Sequence, residues 1–148
     1  MRRRTLLIMA SIMLGVLLLG GVALAATIDG TSGPDDLVGT DKDDVIHGSG
    51  GKDYVSGLAS SDVLYAGAGN DTVVGREGND RIYGNTGSDT LFGEEGNDTI
   101  NSSGDQTKDV VKCGQGTDTV YVDKIDWVKK NCENVYLLVR QERPGEEA

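Results

Sequence analysis

GREGNDRIY (75–83), GNTGSDTLF (84–92) and GEEGNDTIN (93–101) follow one another without a gap. Each begins with Gly, has Gly at its fourth position, Asp at its sixth and an aliphatic residue at its eighth. The same nine-residue frame runs back through AGAGNDTVV, GLASSDVLY, GSGGKDYVS and GTDKDDVIH to GTSGPDDLV, which starts at Gly30. Eight repeats therefore fill residues 30–101. The sixth position is Asp in all of them: Asp35, Asp44, Asp53, Asp62, Asp71, Asp80, Asp89 and Asp98. The eighth is Leu37, Ile46, Val55, Leu64, Val73, Ile82, Leu91 and Ile100. Ala66 is the exception to Gly at the first position; Lys42 and Ser60 are the exceptions at the fourth.

A period of nine with two glycines per repeat does not fit a helix. Gly at positions one and four suits tight turns with positive φ, and Asn or Ser at five is turn chemistry too. Positions seven to nine read as a strand of three residues whose middle side chain points inward. Such a strand cannot stand alone. Two repeats make one coil of strand, turn, strand, turn, and stacked coils bury the aliphatic residues between two parallel sheets. The expected fold is all-β: a parallel β-roll, or two-sheet β-solenoid, of four regular 18-residue coils. Odd repeats place their turns along one edge and even repeats along the other.

Composition agrees. The 148 residues include 22 Gly but one Phe, one Trp and one His, too few large apolar groups for a thick core. Residues 1–25 stand apart. Arg2, Arg3 and Arg4 precede an apolar run from Leu6 to Leu19, and Ala23-Leu24-Ala25 offers small residues to a signal peptidase. This is the pattern of a secretory signal peptide cleaved before Ala26; the rival reading is an uncleaved membrane anchor. Without that stretch the chain carries 11 basic groups against 24 acids, a net charge of −13. Such a chain repels nucleic acid and, once the leader is gone, anionic membrane surfaces; it attracts cations. In an exported chain the isolated pair Cys113 and Cys132 is expected to form one disulfide.

Stacked coils bring successive turns to within about 4.8 Å. Asp35, Asp53, Asp71 and Asp89 then line one edge; Asp44, Asp62, Asp80 and Asp98 line the other. Neighbouring carboxylates at that spacing repel by about 1 kcal/mol even in water. Residues 30–101 hold only Lys42, Lys52, Arg76 and Arg81 against 14 acids, so protein cations do not neutralise the ladders. Carboxylates beside the free carbonyls of Gly-rich turns are the oxygen set of Ca²⁺, whose flexible geometry they suit better than that of Mg²⁺. No His or Cys cluster points to zinc or iron.

These residues resemble the hemolysin-type calcium-binding nonapeptide of RTX proteins, written G-G-x-G-x-D-x-U-x with U a large aliphatic residue. The resemblance covers 30–101 and continues in degraded form to about 122. It implies a β-roll in which each Ca²⁺ sits between a turn and the turn 18 residues later. The ligands it implies are the eight aspartates and backbone carbonyls around Gly69, Gly75, Gly78, Gly84, Gly87, Gly93 and Gly96. It also implies folding triggered by calcium outside the cell. The chain departs from the pattern in two ways. The second Gly occurs only at Gly67, and Lys42 and Ser60 interrupt one edge. The later turns, Asp71 with Asp89 and Asp80 with Asp98, keep the pattern best.

Beyond Asn101 the frame lengthens. Residues 102–112 place Asp109 and Val111 in the Asp and aliphatic roles, and 113–121 do so with Asp118 and Val120. Residues 123–139 break the pattern and hold Trp127 and Cys132. This ending is similar to that of short secreted calcium-binding repeat proteins of actinobacterial type, and implies a cap on the open end of the roll, pinned by Cys113–Cys132. The expected organisation is a signal peptide (1–25), the roll (26–122), the cap (123–139) and a disordered tail (140–148).

Nothing points to catalysis. His47 lies on an outward strand position, and a roll this thin offers no pocket for a triad. The expected function is a secreted calcium-ion-binding repeat protein that folds on binding. The alternative is a calcium-dependent polysaccharide or cell-surface binding module, with Tyr65, Tyr83 and Phe92 at position nine as candidate stacking surfaces for sugars.

Overall fold

The computed structural model describes residues 24–129 and 131–138. Nearly all of the expected leader, and the whole of the expected disordered tail, lie outside the described residues. Fourteen strands follow in chain order: β1 (Thr27–Asp29), β2 (Asp36–Val38), β3 (Val45–His47), β4 (Gly50–Gly51), β5 (Tyr54–Ala59), β6 (Val63–Gly69) and β7 (Thr72–Glu77). They continue as β8 (Arg81–Thr86), β9 (Thr90–Glu95), β10 (Thr99–Asn101), β11 (Val110–Gln115), β12 (Thr119–Val122), β13 (Trp127–Val128) and β14 (Asn134–Leu137). One sheet runs β1-β3-β6-β8-β10-β12-β14, with β4 also pairing with β6; the other runs β13-β11-β9-β7-β5-β2. Every pairing is parallel, and the chain winds through about six coils.

The register is set by the inward column. Ile28, Ile46, Leu64, Ile82, Ile100, Val120 and Val135 are partners in the first sheet. Leu37, Val55, Val73, Leu91, Val111 and Val128 are partners in the second. The nine residues from Ile46 to Val120 in these columns are 0% exposed. A slip of one residue would turn the whole column outward, so the period fixes the pairing. Each such side chain contributes about 1.5–3 kcal/mol by leaving water.

The strands β1, β2, β3 and β10 have the three residues expected, but those of the middle coils are longer. In β5, β7, β9 and β11 the pairing continues past position nine into the third position of the next repeat, as in Leu58↔Arg76 and Ala59↔Glu77. Turn and strand therefore share residues.

The two glycines of the repeat also have different reasons. From the third repeat on, position four takes positive φ, as at Gly78 (φ 131) and Gly96 (φ 131). A Cβ on Gly96 would overlap the carbonyl oxygen of Gly78 in the coil beneath. Position one has no such φ. It is Gly because a Cβ at Gly57, Gly75 or Gly93 would overlap Oδ2 of Asp62, Asp80 or Asp98. Positive φ falls instead on position two, where Ser49, Leu58, Arg76, Asn85 and Glu94 adopt it with φ between 65 and 85. From the third repeat on, the missing second Gly of the pattern is thus a loss of residue type, not of backbone shape; Thr31 and Thr40 lack the positive φ as well.

Residues 123–138 do more than cover the roll. They continue it as a last, irregular coil, with β13 on β11 and β14 on β12. Cys113 and Cys132 are bonded, with Cα atoms 5.2 Å apart. The final coil buries Val111 and Val120, but its own Val135 stays 47% exposed.

Candidate metal centre

The sixth-position aspartates form two continuous ladders. In the odd ladder the N–H of Asp35 donates to Oδ1 of Asp53 (2.9 Å), that of Asp53 to Asp71 (2.8 Å), that of Asp71 to Asp89 (2.9 Å) and that of Asp89 to Asp109 (2.8 Å). In the even ladder the donors are Asp44, Asp62, Asp80 and Asp98, and the acceptors Asp62, Asp80, Asp98 and Asp118, at 2.8–2.9 Å. The cap closes both. Asp126 accepts from the N–H of Asp109 (3.0 Å), and Oε2 of Glu133 from that of Asp118 (2.9 Å).

From Asp53 and Asp62 onward one oxygen of each carboxylate is consumed in this way; the other divides the ladder in two. Oδ2 of Asp53, Asp62, Asp71, Asp80, Asp89, Asp98 and Asp118 is buried and has no hydrogen-bond partner. Asp35 and Asp44 differ. Oδ2 of Asp35 accepts from the N–H and hydroxyl of Thr31 (2.6 and 2.9 Å). Asp44 accepts from the N–H of Thr40 (2.5 Å) at Oδ2 and from its hydroxyl (3.1 Å) and the N–H of Ala26 (2.6 Å) at Oδ1. Threonine at position two thus satisfies the first two aspartates from within their own turns. Of the eight residues expected to bind metal, the structure places six with an orphaned oxygen and two without. It adds Asp118, and it places Asp109 in the same odd ladder. Both carry the Asp signal after a two-residue lengthening of the frame at 102–109.

A buried anionic oxygen without a donor is costly unless a cation meets it. The same burial disfavours the charged carboxylates. Burial pushes the carboxyls of Asp62 and Asp98 up to about 6, those of Asp80 and Asp109 to about 7 and that of Asp89 to about 8, with neighbouring acids adding to the rise. Burial raises Asp53, Asp71 and Asp118 as well.

A second oxygen stands nearby. The space a Cβ would fill at Gly75 is shared by Oδ2 of Asp80 and the carbonyl oxygen of Gly93, the latter 2.9 Å from that position. At Gly57 the pair is Asp62 and the carbonyl of Gly75; at Gly93 it is Asp98 and the carbonyl of Cys113. The carbonyls of Gly69 and Gly78 lie instead against Gly87 and Gly96 of the next coil. Among the described residues no three or more Asp, Glu, His or Cys side chains converge on one point. In each ladder the carboxylates are strung one per coil, so a bound ion would draw the rest of its shell from main-chain carbonyls and water. That all-oxygen set fits a hard divalent cation.

Further inter-coil bonds run through position five in the opposite sense, on both edges. Oδ1 of Asn70 accepts from the N–H of Ser88 (2.9 Å), Asn79 from Asn97 (2.7 Å) and Asn97 from Thr117 (2.7 Å), each one coil further on. Asparagine at five is therefore an inter-coil bond, where the sequence reading gave it only a turn.

The aromatic residues of position nine are separated. Tyr65 is stacked between His47 (4.9 Å between centroids) and Tyr83 (4.8 Å) on one sheet. Phe92 lies on the other sheet beneath Nζ of Lys112 at 4.3 Å. His47 also pairs with Asp29 at 2.8 Å.

No curated protein and no solved structure matches the chain significantly. A family model does. The RTX calcium-binding nonapeptide repeat matches four times, over residues 29–64, 47–82, 65–100 and 74–107.

Proposed function

The chain belongs to the RTX calcium-binding nonapeptide repeat family, and from that premise we propose that it is an exported protein whose two aspartate ladders take up Ca²⁺ and whose roll forms as they do so. The family's repeats bind Ca²⁺. The observation that carries the finer reading is the row of seven buried, unpartnered Oδ2 atoms from Asp53 to Asp118. The ions would lie along the ladders, held by these carboxylates and by turn carbonyls such as those of Gly75 and Gly93. Asp35 and Asp44 contribute least, because Thr31 and Thr40 already occupy their oxygens.

Export is supported by the leader pattern of residues 1–25 and by the Cys113–Cys132 disulfide, which fits an oxidising compartment. We read the protein as a binding and structural module and not as an enzyme: its single His is engaged by Asp29 and Tyr65. The polysaccharide reading gains no support from Tyr65, whose two ring faces are covered by His47 and Tyr83.

The test is circular dichroism and calorimetry during a calcium titration at pH 9, where the ladder carboxyls are ionised. The expected result is little strand signal in chelator and cooperative folding as calcium rises. A fold indifferent to chelator at that pH would overturn the reading.

A further inference from the structure

The even ladder begins one coil before its first aspartate. The N–H of Ala26 donates to Oδ1 of Asp44 at 2.6 Å, 18 residues further on. The carbonyl of Ala26 accepts the N–H of Val45 at 2.9 Å, as the carbonyl of Asp44 accepts that of Val63 and the carbonyl of Asp62 that of Arg81. Ala26 thus makes both main-chain bonds of a ladder residue and lacks only the carboxylate.

The nitrogen at the head of this ladder is also the atom that loss of the leader would change. The pattern of residues 1–25 puts the cut between Ala25 and Ala26. Leu24 and Ala25 are exposed, whereas Ala26 is half-buried ahead of β1. Hydrolysis there adds one water across the peptide bond. It leaves a carboxylate on Ala25 and, at neutral pH, an ammonium on Ala26. A neutral donor facing Asp44 becomes a cationic one. The odd ladder gains no such group, because the residue 18 places before Asp35 is Leu17, inside the leader.

Asp44 lacks a counter-charge. Its side chain is buried, and its carboxylate is held by the N–H and hydroxyl of Thr40 and by the N–H of Ala26. Among the described residues the one ion pair is that of His47 with Asp29, so no side-chain cation meets Asp44. Both of its oxygens are engaged, and it has no orphaned oxygen of the kind found from Asp62 to Asp98. A buried carboxylate so placed is stabilised most by a donor that carries positive charge.

We propose that the α-ammonium of Ala26, created by removal of the leader, is the resident counter-ion of Asp44. It takes, at the head of the even ladder, the part proposed for calcium further along. The inference rests on the reading of residues 1–25 as a cleaved leader. Cutting that leader is then a step in fastening the roll as well as in releasing it: the first coil is hydrogen-bonded before the cut and ion-paired after it.

The test uses the calcium-loaded chain recovered from the medium of a secreting host. Intact mass and N-terminal sequencing read its first residue, expected to be Ala26. Part of the sample is Nα-acetylated by an N-terminal acetyltransferase, which keeps the Ala26 N–H and removes its charge. Urea unfolding should show the folding constant fall about fivefold on acetylation, the margin between a charge-assisted hydrogen bond and a neutral one. In Asp44→Asn, acetylation should change nothing. If that variant does not fold, a chain with a short glycine extension ahead of Ala26 replaces it; its ammonium lies away from Asp44, and it should match the acetylated form. A first residue other than Ala26 would remove the leader reading and the proposal with it. A chain that begins at Ala26 yet is indifferent to acetylation, an acetylation effect that persists in Asp44→Asn, or a glycine-extended chain as stable as the unextended one would overturn the proposal and leave the leader reading standing.

Discussion

The N–H of Asp71 donates to Oδ1 of Asp89, one coil further on, at 2.9 Å, while Oδ2 of Asp89 stays buried without a partner. The same carboxylate thus ties two coils together and keeps one oxygen for something else. Where the turn supplies its own donors, as Thr40 does for Asp44, that second oxygen is already taken.

Removing the two kinds of aspartate should therefore have unequal effects. Asp89→Ala is expected to raise the calcium concentration at the folding midpoint several-fold. Asp44→Ala should shift it less, because it deletes a carboxylate whose oxygens are held by protein donors. Titrations followed by circular dichroism compare the two; an equal shift would contradict the division of the ladder.

Acid should replace calcium in part. The carboxyls of Asp62, Asp80, Asp89, Asp98 and Asp109 lie at about 6 to 8 in the folded chain, above the ordinary value of 3.8. A group raised on folding adds stability that is complete below its unfolded pKa and is lost as pH rises through the folded one. In chelator, strand signal is expected to return as the pH is lowered from 9 to 5. Calcium binding near pH 7 should release protons, which calorimetry in buffers of different ionisation enthalpy detects. Calcium-free protein that gains structure as the pH rises would contradict this.

Leu58 holds φ at 85 without being Gly. That backbone costs a side chain about 1–2 kcal/mol, against roughly 0.4–1 kcal/mol for the extra freedom Gly brings to the unfolded chain. Leu58→Gly is expected to stabilise the calcium-loaded protein by up to about 1 kcal/mol, and Leu58→Ala to give no such gain. Thermal unfolding of the two variants decides. Arg76→Gly should gain less, since Nε of Arg76 donates to the buried hydroxyl of Ser56 at 2.9 Å.

Replacing Cys113 and Cys132 together by Ala should cost about 3 kcal/mol, the value for a closed loop of this size. The loss should be local. Hydrogen exchange is expected to quicken in residues 127–137 and to stay slow between Asp71 and Asp98. A uniform change along the chain would show that the bridge supports more than the last coil.

Much of this was legible in the residues. The nine-residue frame specified the coil, the two sheets and the aliphatic column, because the inward side chain and the turn aspartate recur at one fixed offset each. Three features were hidden. Positive φ at Leu58 and Arg76 is imposed by the stacking of coils on residues that do not favour it. The engagement of Asp35 and Asp44 depends on Thr31 and Thr40, an ordinary residue type in an unremarked column. The last coil escaped because its register steps, Val111 to Val128 and Val120 to Val135, are shorter than 18 and no period announces them.

The aspartate ladders reach towards the head of the roll and the asparagine bonds on the same edges towards its tail. An interior coil therefore cannot let go without leaving its neighbours on both sides a bond short. Unravelling has to begin at an end, and a breach in the middle is felt in both directions. The roll has the mechanics of a laced seam: its strength at any point is borrowed from the stitches on either side, and its working length is decided by how well the two ends are knotted.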